Sequence, residues 1–353
     1  MTDPGQRLRS SLAADQSATP AVEFDSPIAM EALRATRVLH AADQEPFPAP
    51  GRIRVITIAN QKGGVGKTTS SVNLGVALAL YGLRTLVVDL DPQGNTSTAL
   101  GVDHSVGTPS VYDALVGDSS LAEVVHPTTA TPLLSCVPAT IDLAGAEIEL
   151  VSVVAREYRL RRAIETYLQE LPPERRPHYV LVDCPPSLGL LTLNALVAGD
   201  EVLIPIQCEY YALEGLGQLL NNIDLVRRHL NPGIAVRTIL LTMYDGRTKL
   251  ADQVAEEVRK HFGSLVLDTV IPRNVRVSEA PGYGQSVVTY DPGSRGSTSY
   301  VEAARELAQR GVTLPPLPSR PTPGTPVAAP LRAAFPDTDG GTVPVPPSAE
   351  ERS

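Results

Sequence analysis

The chain has 353 residues, of which 42% are hydrophobic and 20% charged, and its mean hydropathy is −0.01. Such a composition predicts a water-soluble protein with one large core or two smaller ones. No apolar stretch reaches the ~18–20 residues of a membrane-spanning helix, and the N-terminus lacks the apolar segment of a signal peptide. Three cysteines, Cys136, Cys184 and Cys208, are odd in number and lack metal-ligand spacing, which predicts buried thiols in a reducing cytosol.

The charge balance excludes a chain that is basic throughout. The net charge is −9 and the isoelectric point is about 5.2, so any contact with nucleic acid has to come from a local patch. Its 30 basic residues are four lysines and 26 arginines. A lysine in so arginine-rich a chain suggests a position that uses its compact ammonium charge. Two of the four, Lys62 and Lys67, fall in one short segment.

The chain divides into three parts. Residues 1–50 are polar and rich in alanine and proline, which predicts a flexible extension with one short amphipathic helix over 27–40. The residues that would share its apolar face are Ile28, Leu33, Val38 and Leu39. Residues 51–312 form the predicted folded domain. Residues 313–353 hold 11 prolines from Pro315 onward, which predicts a disordered tail.

Within the domain, predicted strands alternate with predicted helices. The predicted strands, in chain order, are RVITIAN, RTLVVDL, LLSCVPA, HYVLVDCPP, DEVLIPI, AVRTILLTMY and LVLDTVIP. The first predicted helix begins at Lys67, and four others cover 156–170, 210–229, 248–261 and 297–309. This order predicts a doubly wound, mostly parallel α/β sheet with helices on both faces. Ligands are expected at the carboxyl ends of its strands.

The segment NQKGGVGKTT, at 60–69, follows the first predicted strand and begins the first predicted helix. A conventional phosphate-binding loop, G-x-x-x-x-G-K-[ST], would have its first glycine at position 61, where this chain has glutamine. Gly63, Gly64 and Gly66 still allow consecutive backbone N–H groups to surround phosphate oxygens. The segment therefore predicts a nucleotide-binding loop with an unusual first half.

Three side chains complete the predicted nucleotide site. Lys67 is placed to neutralise the β- and γ-phosphates, and the Thr68 hydroxyl is placed to bind magnesium. Asp183 ends the apolar strand YVLVD, where this kind of fold holds magnesium through a water molecule. Taken alone, an aspartate at a strand end also suits a helix cap.

Several segments together resemble one family. They are KGGVGKTT, DLDPQGNTSTALG at 89–101, DCPPSLGLLTLNAL, and IPRNVRVSEAPGYGQSVVTYDPGSRGSTSY. They resemble the ParA/MinD class of deviant-Walker P-loop ATPases and, within it, the ParA (Soj-like) chromosome-partition proteins. The resemblance covers residues 52–310 and implies ATP and Mg²⁺ as cofactors.

The resemblance also implies residue roles. Lys62 would reach across an ATP-bound dimer to the phosphates of the other subunit, as an arginine finger does. Asp91 would position the attacking water, and Asp89 would contribute either to the magnesium shell or to loop geometry. The implied nucleotide-binding residues are Lys62, Gly63, Gly64, Val65, Gly66, Lys67, Thr68, Thr69, Pro272 and Asn274. The implied metal site comprises Thr68, Asp89 and Asp183.

A DNA-binding surface is predicted within 247–276, which has six basic and four acidic residues. Lys249 and Lys260 would lie about 20° apart on one helix face. By resemblance, the expected phosphate contacts are Arg247 and Arg276, surrounded by Lys249, Arg259, Lys260 and Arg273. The alternative is a solvated face with pairs such as Glu256 with Lys260.

The implied protein is a cytoplasmic, nucleoid-associated homodimer that binds double-stranded DNA non-specifically and is released when a ParB-like centromere-binding protein stimulates hydrolysis. Its cargo could be a chromosome or a plasmid, and the N-terminal extension could bind a polar scaffold protein. Two alternatives stay open: a metabolic ATP-dependent ligase, such as a cobyrinate or dethiobiotin enzyme, and a MinD-like membrane-cycling regulator. MinD-like proteins end in a basic amphipathic helix, whereas this chain ends in prolines and acids, so no membrane partner is expected.

Overall fold

A computed structural model describes residues 27–41, 44–210 and 216–313. The strands are β1 (Arg54–Ile58), β2 (Thr85–Asp89), β3 (His126–Pro127), β4 (Leu134–Val137), β5 (Tyr179–Asp183), β6 (Glu201–Gln207) and β7 (Ala235–Thr242). They form one sheet in the order β3-β4-β2-β5-β1-β6-β7. All neighbours are parallel except β3, which pairs antiparallel with β4 at the edge. The predicted tail from 314 onward lies outside the described residues.

Helices lie on both faces of the sheet. They are α1 (Pro27–Leu39), α2 (Lys67–Leu80), α3 (Asn95–Ala99), α4 (Val111–Leu115), α5 (Leu143–Glu149), α6 (Arg159–Glu170), α7 (Leu190–Ala198), α8 (Leu216–His229), α9 (Lys249–Phe262), α10 (Val275–Glu279), α11 (Val287–Tyr290) and α12 (Arg295–Val312). In the described parts of the chain, no helix is both long and apolar enough to cross a membrane.

Alternation along the strands produces two apolar layers. In β5, Val180 and Val182 enter the layer formed with α4–α9, whereas Tyr179 and Leu181 enter the layer formed with α1–α3, α11 and α12. Every residue of β1, β2 and β5 is buried, as expected for strands covered on both faces. The predicted doubly wound fold is confirmed. The three cysteines are unpaired and buried, as predicted.

The last predicted strand is wrong. The segment LVLDTVIP makes two isolated parallel bridges, Ile239 with Val266 and Tyr244 with Pro272, and forms no continuous strand. Its backbone hydrogen bonds to β7 are separated, from the Leu267 N–H to the Ile239 carbonyl and from the Ile271 N–H to the Leu241 carbonyl, so no ladder forms. The predicted helix over 210–229 begins in the described chain at Leu216, and residues 211–215 lie outside the description.

The N-terminal extension is not a free segment throughout. A helix covers Pro27–Leu39, but Ile28, expected on its buried face, is 80% exposed. Beyond Ile28, Val38 and Phe47 are buried in the second apolar layer, and the Phe47 ring stacks on Tyr81 at a centroid distance of 4.3 Å. Burial of these apolar side chains packs the segment from α1 to Phe47 against the domain, whereas residues 1–26 of the predicted extension lie outside the described residues.

Candidate nucleotide site

The phosphate loop connects β1 to α2 at the carboxyl edge of the sheet. Gly64 and Gly66 have φ angles of 75° and 90°, in the left-handed region that favours glycine. A Cβ added at Gly63 or Gly64 would meet no atom within 4 Å, so this part of the loop borders open space. Gly66 lies against Thr242, whose hydroxyl donates to the Val65 carbonyl at 2.8 Å. The loop thus has both the backbone freedom and the room that a phosphate group needs.

Lys67 is a buried cation with unused hydrogen-bonding capacity. Its side chain is 7% exposed, and its Nζ donates to the Lys62 carbonyl at 3.2 Å. An ammonium group has three donors, so two remain for phosphate oxygens. Burial lowers the Lys67 pKa, and the nearby Asp183 carboxylate opposes that effect. In the same loop, Gln61 Nε2 is buried and has no hydrogen-bond partner among the described residues.

Three hydroxyl groups converge on Asp183. Thr68 Oγ1 and Thr96 Oγ1 each donate to Asp183 Oδ2 at 2.8 Å, and Ser71 Oγ donates to Oδ1 at 2.9 Å. The Thr68 hydroxyl and the Asp183 carboxylate are hard oxygen ligands in direct contact beside the phosphate loop, so they fit Mg²⁺, which takes few protein ligands and completes its shell with water and substrate phosphates. In keeping with that, the described residues include no cluster of three or more His, Cys, Asp or Glu side chains able to hold a metal alone.

Asp89 is engaged by the protein itself. Ser97 donates to its Oδ2 through the backbone N–H at 2.9 Å and the hydroxyl at 2.7 Å, and the Asp91 N–H donates to Oδ1 at 3.2 Å. Of the two roles expected for Asp89, these contacts favour loop geometry. Both carboxylate oxygens accept from donors that hold the turn after β2, and a contribution of Asp89 to the magnesium shell stays a prediction.

Burial raises the pKa of Asp89 to about 8, with the Asp183 charge adding to the effect, and burial raises the pKa of Asp183 to about 6. A carboxyl with a raised pKa holds its proton in the folded state above the pH at which the unfolded chain has lost it. Its contribution to stability is therefore present at low pH and is lost as pH rises through the folded-state pKa. A divalent cation beside Asp183 would favour the ionised form.

Asp91 lies in the turn between β2 and α3. Its side chain is 8% exposed, its Oδ1 accepts from the Gln93 N–H at 3.0 Å, and its carbonyl accepts from Gly94 at 2.9 Å. Its charge opposes the fall in the Lys67 pKa that burial causes and adds to the rise in the Asp183 pKa, so the carboxylate is within electrostatic range of the phosphate loop. Such a position is suited to orienting a water molecule near a bound phosphate.

Lys62 forms a partly exposed ion pair beside the loop. Its Nζ pairs with Glu209 Oε2 at 3.2 Å, just after β6, and the two side chains are 37% and 45% exposed. The backbone of Lys62 is fixed, because its N–H donates to Asn60 Oδ1 at 3.1 Å. The Asn60 Nδ2 in turn donates to the Pro205 carbonyl at 2.8 Å. An exposed pair of this kind is worth ~0–1 kcal/mol, so Lys62 can exchange Glu209 for a stronger anion.

The remaining predicted nucleotide residues lie on the same edge of the sheet. Pro272 bridges to Tyr244, two residues after Thr242, which contacts the loop. Asn274 is the N-cap of α10, and its side chain accepts from the Arg276 N–H at 2.8 Å. Val65 is buried in the loop, and Thr69 lies in the first turn of α2, where its carbonyl accepts from Asn73.

Sequence reasoning missed five residues that organise the site: Ser71, Thr96, Ser97, Glu209 and Thr242. Three had a usable signal, since Ser71 lies one helical turn after Lys67, and Thr96 and Ser97 belong to the hydroxyl-rich run NTST within the second motif. Glu209 and Thr242 had none, because they reach the loop from strands far along the chain.

The predicted DNA contacts are all at least partly exposed, and half of them are paired. Arg247 is 86% exposed and makes a two-pronged pair with Asp245, with both N–O distances 2.8 Å. Arg276 pairs with Glu279 at 2.9 Å and Asp291 at 3.2 Å, and Arg259 pairs with Asp268 at 3.8 Å. Lys249, Lys260 and Arg273 are exposed and make no ion pair with a described residue.

The fold and this loop define a P-loop ATPase of the ParA/MinD class. Residues 53–236 match the AAA domain family. Over 258 residues the chain is 54% identical to the sporulation initiation inhibitor protein Soj of Bacillus subtilis (strain 168), covering 73% of this chain and 99% of that protein. It is 52% identical to the chromosome partitioning protein ParA of Myxococcus xanthus (strain DK1622), covering 73% and 88%. The chain therefore belongs to the Soj/ParA family of chromosome-partitioning ATPases.

Solved structures agree with the fold and represent both alternatives. Cobyrinic acid a,c-diamide synthase from Mycobacterium smegmatis, with bound ATP analogue and magnesium, is 38% identical with a TM-score of 0.62, covering 73% of this chain and 95% of that chain. MinD from Pyrococcus horikoshii, complexed with Mg-ADP, is 27% identical with a TM-score of 0.57, covering 74% and 100%. Both identities are lower than those to Soj and ParA. Neither the ligase nor the MinD-like alternative is therefore better supported than chromosome partitioning.

Lys67→Ala should abolish ATP binding, because it removes the buried ammonium group from every phosphate-bound state. Lys249→Ala is the matched control, since it removes an exposed lysine from α9 and leaves the loop intact. Titration with a fluorescent ATP analogue measures the effect, and equal affinity in the Lys67→Ala and wild-type proteins would contradict the assignment.

Proposed function

We propose that this chain is a cytoplasmic ATPase that segregates DNA. ATP closes a homodimer, the dimer binds the nucleoid non-specifically, and a ParB-like centromere-binding protein stimulates hydrolysis and release. The observation that carries the proposal is the contrast between the two loop lysines. Lys67 is buried and has free donors for its own nucleotide, whereas Lys62 is exposed and held only by a weak surface pair.

The buried part of the site binds the nucleotide. Lys67 and the loop N–H groups hold the β- and γ-phosphates. Thr68 and Asp183 would hold Mg²⁺, directly and through water, and the ion supplies charge neutralisation at the phosphates when bound. Ser71 and Thr96 keep the Asp183 carboxylate oriented toward Thr68.

Hydrolysis needs two further groups. Asp91 orients the attacking water, and Lys62 of the second subunit stabilises the charge that develops on the transferred phosphoryl group. Because a single chain holds its own Lys62 at Glu209, one copy alone lacks the second group. This arrangement restricts hydrolysis to the dimer, which is the property that a DNA-bound switch requires.

The DNA-binding surface combines weak, exposed charges. Each ion pair at Arg247 and Arg276 is exposed and can be exchanged for a DNA phosphate. Two copies of the surface in a dimer double the number of contacts, so binding should require ATP. Since arginine and lysine contacts to phosphate read no base edges, binding should be independent of sequence and strongly dependent on salt.

ATPase rates under three conditions separate this function from its alternatives. A partition ATPase should have a slow basal rate that DNA and a ParB-like protein raise together. A ligase related to cobyrinic acid a,c-diamide synthase should turn over ATP only with its small-molecule acceptor, and a MinD-like regulator should bind and respond to liposomes. Stimulation by liposomes without DNA would contradict the proposal.

Arg247→Ala should weaken ATP-dependent DNA binding about equally for unrelated duplexes. Loss of one phosphate contact per subunit should lower the slope of log K against log salt by ~0.9 per contact. Arg175→Ala is the matched control, because Arg175 is exposed on the loop before β5, away from the proposed surface. Equal loss of binding in both variants, measured by fluorescence anisotropy, would show a dependence on overall charge and would reject a localised surface.

A further inference from the structure

The N-terminal helix α1 borders the proposed DNA-binding surface. An open cleft of about 510 Å³ lies between α1 and the segments that carry Arg276 and Arg295. Arg34, in the middle of α1, lines this cleft together with both of those arginines. Three guanidinium groups from three separate segments therefore face one solvent-filled space.

Close packing holds α1 in this position. A Cβ built on Gly293 would lie 2.6 Å from the Glu31 carbonyl oxygen and 3.3 Å from Ala35 Cβ, so the helix backbone rests directly on this glycine. Gly293 is buried and lies just before α12. At the other end of α1, Val38 is 5% exposed in the apolar layer. Arg34 is consequently placed by the docking of its helix.

The charges in the cleft leave a cationic surplus. Asp291 is paired with Arg276, which also pairs with Glu279. Glu31 is the remaining carboxylate at the cleft. Arg34, on the same helix as Glu31, and Arg295 also line the cleft and make no ion pair with a residue in the described ranges. Among the residues that line the cleft, three arginines (Arg34, Arg276 and Arg295) stand against two carboxylates (Glu31 and Asp291), and this surplus of one positive charge favours an anionic ligand.

The cleft continues the proposed surface. The Arg273 N–H donates to the Tyr244 carbonyl at 3.0 Å, and the next residue, Asp245, pairs with Arg247 at 2.8 Å, so the two arginines lie near one another. Arg273 leads directly into α10 and Arg276, and Arg276 shares the cleft with α1. A row of basic side chains thus runs from the start of α9 to the N-terminal helix.

We infer that α1 is part of the DNA-binding surface and that Arg34, together with Arg295, contacts a backbone phosphate of double-stranded DNA in the cleft. This inference rests on the proposed function, since it extends the surface through which the ATP-bound dimer binds DNA.

The first test is Arg34→Ala in the full-length protein. With saturating ATP, binding to unrelated DNA duplexes should weaken on the order of tenfold per subunit at ~0.1 M salt, and the salt slope should fall by ~0.9 per subunit. Arg37→Ala is the matched control, because it removes an exposed arginine from the same helix outside the cleft. Similar losses in both variants would overturn the inference in favour of a bulk charge effect.

A second variant tests the position of α1 separately from the charge of Arg34. Gly293→Val keeps every arginine, but its side chain would clash with the Glu31 carbonyl and displace α1. DNA binding should therefore fall as in Arg34→Ala. The double variant should lose no more than either single variant, because Arg34 cannot contact DNA once its helix is displaced. Fully additive losses would overturn the inference, and circular dichroism would confirm that each variant is folded.

Comparison with Arg247→Ala separates the contribution of α1 from that of the proposed DNA-binding surface as a whole. If Arg247→Ala weakens DNA binding and Arg34→Ala does not, the contribution of α1 is rejected while the proposed function stands. If neither variant has an effect, the proposed DNA-binding surface itself fails.

Discussion

Lys62→Ala should leave ATP binding by the single chain intact and reduce partner-stimulated ATP hydrolysis about a thousandfold or more, the range known for loss of an arginine finger. The physical reason is that the loop, Lys67 and Thr68 still hold the nucleotide, while the second subunit no longer supplies a cation to the transferred phosphoryl group. Phosphate release in the presence of DNA and the ParB-like partner measures the effect. Stimulated hydrolysis at the wild-type rate would contradict the role in trans.

Glu209→Gln is the matched control for this experiment. It breaks the same surface pair and keeps the lysine, so hydrolysis should persist if the Lys62 charge matters and the pair does not. Loss of hydrolysis in Glu209→Gln equal to that in Lys62→Ala would instead assign the effect to the pair within one chain.

Mixing variants tests the geometry directly. A dimer of one Lys62→Ala chain and one Asp91→Ala chain contains one site with an intact Asp91 and an intact Lys62 from its partner. Turnover should therefore reappear when the two inactive proteins are combined. If Lys62 acted within its own chain, every site in the mixture would lack one group and no turnover would return.

Asp91→Ala should bind ATP and dimerise normally but hydrolyse ATP about a hundredfold or more slowly, because the attacking water loses its orienting carboxylate. The hydrogen bonds that converge on Asp183 do not involve Asp91, so the binding site stays assembled. The variant should accumulate on DNA in the ATP-bound state, which a DNA pull-down with ATP and with ADP measures.

The control for Asp91 separates its charge from its place in the turn. Asp91→Asn keeps an oxygen that can accept from the Gln93 N–H and removes the charge. The asparagine variant should be about as slow as the alanine variant if the carboxylate orients water. Near wild-type hydrolysis in Asp91→Asn would indicate that the turn, and not the charge, is what matters.

The sequence was sufficient for features that depend on neighbouring residues. The phosphate loop is one contiguous segment whose glycines and lysine act within ten residues of each other, so its presence could be predicted directly. Continuous apolar strands predicted a sheet covered on both faces, because burial requires that pattern regardless of which helix covers which face. These same local features carried the resemblance to the Soj/ParA family.

Tertiary structure decided which distant groups meet. Glu209 reaches Lys62 from 147 positions away and Ser71 reaches Asp183 from 112, and chain spacing contains no signal for such contacts. The segment LVLDTVIP has the pattern of a strand, but it meets the neighbouring chain in two isolated bridges and forms no continuous strand.

The docking of α1 was likewise invisible in the sequence, where residues 1–50 have the composition of a flexible extension. It depends on Gly293, more than 250 positions along the chain, which leaves room for the helix backbone at Glu31. Local propensity and hydrophobic pattern are properties of short segments and can be predicted from the amino-acid sequence. Steric fit and charge pairing between distant segments exist only once the chain has folded.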